Sequence, residues 1–203
     1  AWVVVATGAA GDVSTRPHRR AQTPRECERL GALVAGAVLR GLRRPARSAV
    51  SGEVRVRRVQ VPLSPKPPGA PATGPLEERL RAAERGGDPV AIRTAWTALQ
   101  AARLAAVQPS PTDLSCAVSV AGVGPLSLVA LGAEPYLDMA VRLDRAATGP
   151  AVLIGYTNGY LGYLPVREAY RRPEYEVLRT PVAPGGAEHV LARATELMGE
   201  VHD

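Results

Sequence analysis

The sequence predicts an α/β fold, a layered α+β arrangement with a mixed β-sheet flanked by helices, and three observations carry that reading. Stretches with strand-like apolar alternation take turns with stretches of helical periodicity along the chain. Two apolar runs, 114–121 and 126–131, are joined by Gly122-Val123-Gly124, a hairpin signal that makes part of the sheet antiparallel. Near the start, an apolar run over 2–7 passes into the small-residue turn Gly8-Ala9-Ala10-Gly11, the pattern of a buried strand that ends in a tight loop.

The remaining elements follow in order. After a polar loop over 15–22, Thr23-Pro24-Arg25-Glu26 reads as a helix start: Thr caps, Pro suits the first turn, and Glu three positions after the cap closes a capping box. This helix is expected to run to about Gly41 and to bury Leu30, Leu33, Val34, Ala37 and Val38. Val54, Val56, Val59 and Val61 form a strand whose phase slips at Arg57-Arg58, as a bulge would cause. Residues 62–75, rich in Pro and Gly, read as a surface loop. Helices are expected over 76–85, over 89–107 behind an Asp88 cap, over 135–146 and over 186–201, with a strand over 151–156.

Apolar residues make up 46% of the 203 positions and charged residues 22%, the balance of a chain that buries a core. No apolar run reaches the roughly 20 residues of a membrane-spanning helix. The net charge of +6 raises nucleic-acid binding, but Lys66 is the only lysine among 25 basic residues. The arginine clusters at 16–20 and 40–47 also lack the interleaved aromatics of a single-strand platform, so they read as solvated basic faces. Cys27 and Cys116 stand far apart and in no C-x-x-C pattern, which sets aside a zinc–thiolate site and leaves open one disulfide or two free thiols.

Three clusters can carry chemistry. Gly8-Ala-Ala-Gly-Asp-Val-Ser14 is a turn whose backbone N–H groups could hold an oxyanion, with Ser14 a nucleophile or donor at its end. Glu134 stands at the join between a strand and a helix, where it is either a helix-start acid favoured by the macrodipole or a metal ligand or base. All but one of the six tyrosines fall in positions 156–175, interleaved with glycines and Asn158. Each buried phenol needs a hydrogen-bond partner, so such density reads as the wall of a site more than as packing.

Together these motifs resemble the neutral/alkaline ceramidase family. Gly-Asp-Val-Ser at 11–14, Glu134, Asn158-x-Tyr-x-x-Tyr163, Arg167-Glu168-x-Tyr170 and Tyr175 occur in that family's order and approximate spacing, over nearly the whole chain. The resemblance implies a zinc-dependent hydrolase that cleaves the N-acyl amide bond of ceramide-like lipids. It implies Glu134 and Tyr163 as zinc ligands, Ser14 as the active-site serine and Tyr175 as a second tyrosine beside the reacting amide. The attacking oxygen could come from Ser14 or from water on the metal. The family's two zinc histidines precede the Gly-Asp-Val-Ser segment, whereas the histidines here are His18, His189 and His202. The resemblance therefore implies that residues 1–203 are the C-terminal portion of a catalytic domain, with the histidine ligands expected upstream of Ala1. The missing N-terminal half would then be a partner, and a secreted or cell-surface location is suggested. Thr15-Arg16 after the serine, where the family commonly has Pro-Asn, and Leu131-Gly-Ala-Glu134 depart from the family pattern. A same-fold hydrolase acting on another N-acyl or ester substrate, or a metal-free binding protein, are the alternatives.

Overall fold

The structure, a computed structural model, describes residues 4–43, 51–67, 72–107, 111–172 and 174–203. In chain order these form α1 (Pro24–Leu42), β1 (Val54–Pro62), α2 (Gly74–Gly86), α3 (Pro89–Val107), β2 (Ser115–Val123), β3 (Leu126–Leu131), β4 (Glu134–Pro135), α4 (Leu137–Ala146), β5 (Ala151–Ile154), β6 (Tyr163–Leu164), a 3-10 turn (Arg167–Arg171), α5 (Tyr175–Arg179) and α6 (Gly186–His202). The α/β expectation holds. β1, β2, β3 and β5 make a mixed four-stranded sheet in that order, and β4 and β6 make a small second sheet.

The hairpin forms where its glycine signal placed it, with Val123 opposite Leu126. β3 then pairs in parallel with β5, Ser127 opposite Ala151 through Ala130 opposite Ile154, and α4 is the crossover between them. One face of the sheet is covered by α6. Val190, Ala194, Leu197 and Val201, spaced by about one helical turn, are all buried with Val118, Val120, Val129 and Leu131 in the main core. Gly122 lets the helix end come this close: a Cβ there would stand 2.9 Å from the Val201 side chain. Arg142 on α4 ties the layers at one edge, pairing with Asp138 at 2.6 Å and with Glu168 of the 3-10 turn at 3.2 Å. A smaller core joins α2, α3 and α5 through Leu76, Ala98, Leu99, Ala101, Ala102 and Leu178.

Four expectations are corrected. Residues 4–7 form no strand and are not buried: Val4 is 91% and Val5 88% exposed, although Thr7 O accepts from Gly155 N at 2.8 Å (residues 2 and 3 lie outside the described residues). α1 has the expected bounds but not the expected buried face. Leu33, Val34 and Val38 are more than half exposed, because among the described residues no other element packs along that stripe. β1 has no bulge; its pairing with β2 runs without interruption from Val54 opposite Val123 to Pro62 opposite Ser115. The apparent phase slip arises because Arg57 takes an inward position and reaches Glu200 on α6 at 3.6 Å, while Val54 and Val56 point outward. The capping box is half made. Thr23 Oγ1 accepts from Glu26 N at 3.3 Å, but the Glu26 carboxylate turns to Arg20 N and Arg29 instead.

Cys27 is exposed and Cys116 is buried in the sheet; both are free thiols. No described helix is long and apolar enough to cross a membrane.

Candidate functional site

The three clusters separated in sequence meet at one edge of the fold. Glu134 and Tyr163 are direct partners across the parallel β4–β6 pair, with Pro135 opposite Leu164. The segment between β5 and β6 is laced to the chain around β4 by four backbone hydrogen bonds. Tyr156 N reaches Ala133 O, Thr157 N reaches Leu131 O, Leu161 N reaches Gly132 O, and Glu134 N reaches Gly162 O, all at 2.8–3.0 Å. To make these bonds the loop adopts left-handed backbone at Tyr156 (φ 56°) and Asn158 (φ 61°). Asn tolerates that region, but a tyrosine there is strained by about 1–3 kcal/mol, so the surrounding bonds must hold it.

The result is a tyrosine clamp on a buried carboxylate. Glu134 is only 8% exposed, and its two oxygens accept from Tyr156 OH at 2.8 Å and from Tyr160 OH. The two rings stack at 6.1 Å. Donating to Glu134 pushes the Tyr160 phenol above its ordinary value, and burial together with the Glu134 bond pushes Tyr156 up to about 12. Burial, reinforced by the Glu134 charge, raises Tyr163 as well. Tyr163 in turn meets Tyr175 edge to face at 5.9 Å. Tyr175 opens α5, and the far end of that short helix is anchored by Lys66, whose Nζ donates to Val177 O at 2.7 Å.

The Gly-Asp-Val-Ser turn docks against the same place. Gly11 N donates to Pro135 O at 2.9 Å, and a Cβ on Gly11 would lie 2.5 Å from Glu134 O, so only glycine allows the approach. Asp12 Oδ1 accepts from Leu137 N at 2.7 Å and so caps the start of α4. Ser14 is exposed and its Oγ accepts from Arg16 N at 3.2 Å; it shares no hydrogen bond with Glu134, Tyr163 or Tyr175 among the described residues. Beside the turn, a cavity of about 570 Å³ is lined by Asp12, Tyr136, Glu174 and Glu176 among others, and burial raises the Glu176 carboxyl.

The structure thus brings Glu134, Tyr163 and Tyr175 together and sets the backbone of the Ser14 motif against them, while leaving the serine side chain outward. Sequence reading singled out the tyrosine cluster without assigning Tyr156 or Tyr160 a partner. The signal available was the run of glycines and Asn158 between them, which marks left-handed backbone and therefore a loop folded back on itself. The histidines lie elsewhere: His202 Nε2 bonds Ser127 Oγ at 2.8 Å, His189 lies on α6 beside Pro62, and His18 O accepts from Arg29. Among the described residues no group of three His, Cys, Asp or Glu side chains could hold a metal. At this edge one carboxylate, Glu134, stands with the phenols of Tyr156, Tyr160, Tyr163 and Tyr175.

No family model matches the chain, and no curated protein sequence matches it. Among solved structures the chain is similar to neutral ceramidase from Pseudomonas aeruginosa, with a TM-score of 0.45 and 20% identity over 76% of this chain and 30% of that one. It is also similar to a structure described as ceramidase complexed with C2, with a TM-score of 0.48 and 18% identity over 77% of this chain and 31% of that one. The chain spans less than a third of the length of these structures.

Proposed function

We propose that this chain is part of a zinc-dependent amide hydrolase of ceramidase type, cleaving the N-acyl bond of a ceramide-like lipid. The observation that supports the reading best is that Glu134 and Tyr163, 29 positions apart (163 − 134), are cross-strand partners, with Tyr175 in edge contact with Tyr163. In this reading Glu134 and Tyr163 are the chain's share of the metal shell, and the histidines come from the part of the protein upstream of Ala1. When bound, the zinc would polarise the amide carbonyl as a Lewis acid. Tyr175 would donate its hydroxyl hydrogen bond to the carbonyl oxygen as negative charge develops there. Ser14, once turned from Arg16 N towards the tyrosines, or else a water would attack the carbonyl carbon. The proton it loses would pass to the amide nitrogen as the C–N bond breaks and the amine leaves. Where Ser14 attacks, water would then hydrolyse the acyl ester to free the fatty acid. The β4–β6 pairing and the loop bonds would keep the carboxylate and phenol in register throughout.

A specific observation favours a second reading, a binding protein that keeps the fold without the metal. Both Glu134 oxygens are already satisfied by phenols, so the carboxylate needs no cation to be buried. The two readings separate on one experiment with the full-length protein: zinc content, and fatty acid released from an N-acyl-sphingosine. Bound zinc and released fatty acid, both reduced in Glu134→Ala and Tyr163→Phe, are the expected outcome. Unchanged metal content in both variants would remove the ligand assignment, and a full-length protein with neither metal nor hydrolysis would leave the binding reading.

A further inference from the structure

Beyond the clamp around Glu134, a second cavity, of about 420 Å³, lies between the polar loop that follows Ser14 and the start of α3. Four guanidinium-bearing residues line it: Arg16, Arg19 and Arg20 from the loop and Arg93 from the helix. Its remaining walls are Ala21, Gln22, Pro89 and Val90. The ion pairs of the described residues engage arginines 29, 55, 57, 79, 103, 142 and 193, and none of these four. The nearby acids are committed elsewhere. Glu26 holds Arg29 through both oxygens, takes the backbone N–H of Arg20 and feels the Arg20 charge without an ion pair to it, and Asp88 caps α3 by accepting from Val90 N and Ala91 N. Glu176 feels the charge of Arg16 without forming an ion pair with it. Four like charges converging on one cavity repel one another unless an anion sits among them.

The loop is built to hold that arrangement. Thr15 O accepts from both His18 N and Arg19 N at 2.9 Å, which closes a turn over 15–19, and the Arg20 backbone is pinned to Glu26. Arg93 follows Pro89 by four residues and so lies on the same helical face, one turn in from the positive end of the α3 dipole. Guanidinium forks match the oxygens of a phosphate two at a time, and the adjoining Ala21, Pro89 and Val90 suit the carbon attached to such a group.

We propose that this cavity binds a phosphate-bearing anion, a phosphomonoester held by Arg16, Arg19, Arg20 and Arg93. The site does not depend on the hydrolase reading, since it uses none of Ser14, Glu134, Tyr163 or Tyr175. The phosphate can belong to a soluble molecule or to a lipid headgroup, and two probes distinguish these: inorganic phosphate followed by calorimetry, and phosphatidylcholine vesicles with and without phosphatidic acid followed by co-sedimentation. The variant Arg16→Gln/Arg93→Gln is compared, per guanidinium removed, with Arg55→Gln, which removes one exposed charge from β1. The expected result is binding that the paired variant weakens by about tenfold or more for each guanidinium removed, that added salt weakens further, and that Arg55→Gln leaves unchanged. Binding of phosphate assigns a soluble ligand, and binding only of phosphatidic-acid vesicles assigns a headgroup; either upholds the site. If the paired variant does not fold, Arg19→Gln and Arg20→Gln, both on the surface loop, give the same reading singly. Failure of both probes to bind, or equal weakening by Arg55→Gln, overturns the proposal.

Discussion

Glu134 and Tyr163 stand opposite each other in the parallel β4–β6 pair, and the loop that separates them in sequence folds back to place two more phenols on the same carboxylate. The strand pairing fixes the backbones, while Tyr156 and Tyr160 fix the side chain. A buried acid without these donors would lose much of its solvation and keep its charge at a cost.

Tyr156→Phe and Tyr160→Phe therefore each remove one hydrogen bond to a charged acceptor and leave the ring stack in place. Each is expected to lower stability by about 1 kcal/mol, at the modest end for such bonds because both rings are reached by solvent. The double variant is expected to lose more than the sum, since the last donor is then gone from an 8%-exposed carboxylate. Chemical denaturation of the two single variants and the double variant measures this. Strict additivity would mean that the two phenols do not share Glu134 in solution.

Gly11→Ala tests the docking of the Gly-Asp-Val-Ser turn. The added methyl would meet Glu134 O at 2.5 Å and Pro135 O at 2.9 Å, both backbone atoms that cannot rotate away. The turn must lift from β4, breaking the Gly11 N–Pro135 O bond and disturbing the Asp12 cap on α4. A loss of about 1–3 kcal/mol is expected, typical of forced overpacking. Asp12→Ala, which removes the cap alone, should cost about 1 kcal/mol. A Gly11→Ala protein with the parent midpoint would show that the turn does not pack on β4.

Much of this architecture was legible in local chemistry. The Asp88 cap, the Pro89 start and the 126–131 strand appear where their signals place them, because each depends on a few neighbouring residues. What was not legible depends on partners distant in sequence. The stripe Leu33, Val34 and Val38 has sound helical periodicity, yet periodicity says only that a face is apolar and not what covers it. Arg57 looked like an interruption of a strand because its partner Glu200 lies 143 positions away (200 − 57) on the last helix. At the site, the residue types around Glu134 were visible in the tyrosine cluster. That Tyr156 and Tyr160 hold the carboxylate was not, since it follows from two left-handed residues and four loop bonds that no spacing rule encodes.

The two thiols should behave as differently as their surroundings. Cys27 is exposed on α1, whereas Cys116 is fully buried between strands and burial pushes its thiol up from 9.0 to about 11. At neutral pH a thiol reagent should label one cysteine rapidly in the native protein and two after denaturation. The pH dependence follows from the sign of the shift. The folded state holds the Cys116 proton more tightly than the unfolded state, so this contribution to stability is complete below pH 9 and declines as pH rises towards 11. Cys116→Ala should flatten that decline, apart from the cost of the small void it leaves. Two thiols labelled at equal rates in the native protein would contradict the burial of β2.

Lys66 offers a test of how Tyr175 is positioned. α5 has only five residues, too few to be stable alone, and its carbonyls at Val177 and Leu178 accept from Lys66 Nζ at 2.7 and 3.3 Å. Burial lowers the Lys66 ammonium from its ordinary value, yet the two carbonyls at a helix end favour the charged form and give it its only described acceptors. Lys66→Met keeps the aliphatic stem and removes the donors, leaving those carbonyls short of a partner, and a loss of about 1–3 kcal/mol is expected. The loss should be felt at the other end of α5, where Tyr175 meets the edge of Tyr163. Near-ultraviolet circular dichroism of Lys66→Met should therefore lose tyrosine signal, and the same substitution made in a Tyr175→Phe background, which lacks the reporting phenol, should change the spectrum less. A Lys66→Met spectrum identical to the parent would mean that the contact between the rings, and not the lysine, sets the position of α5.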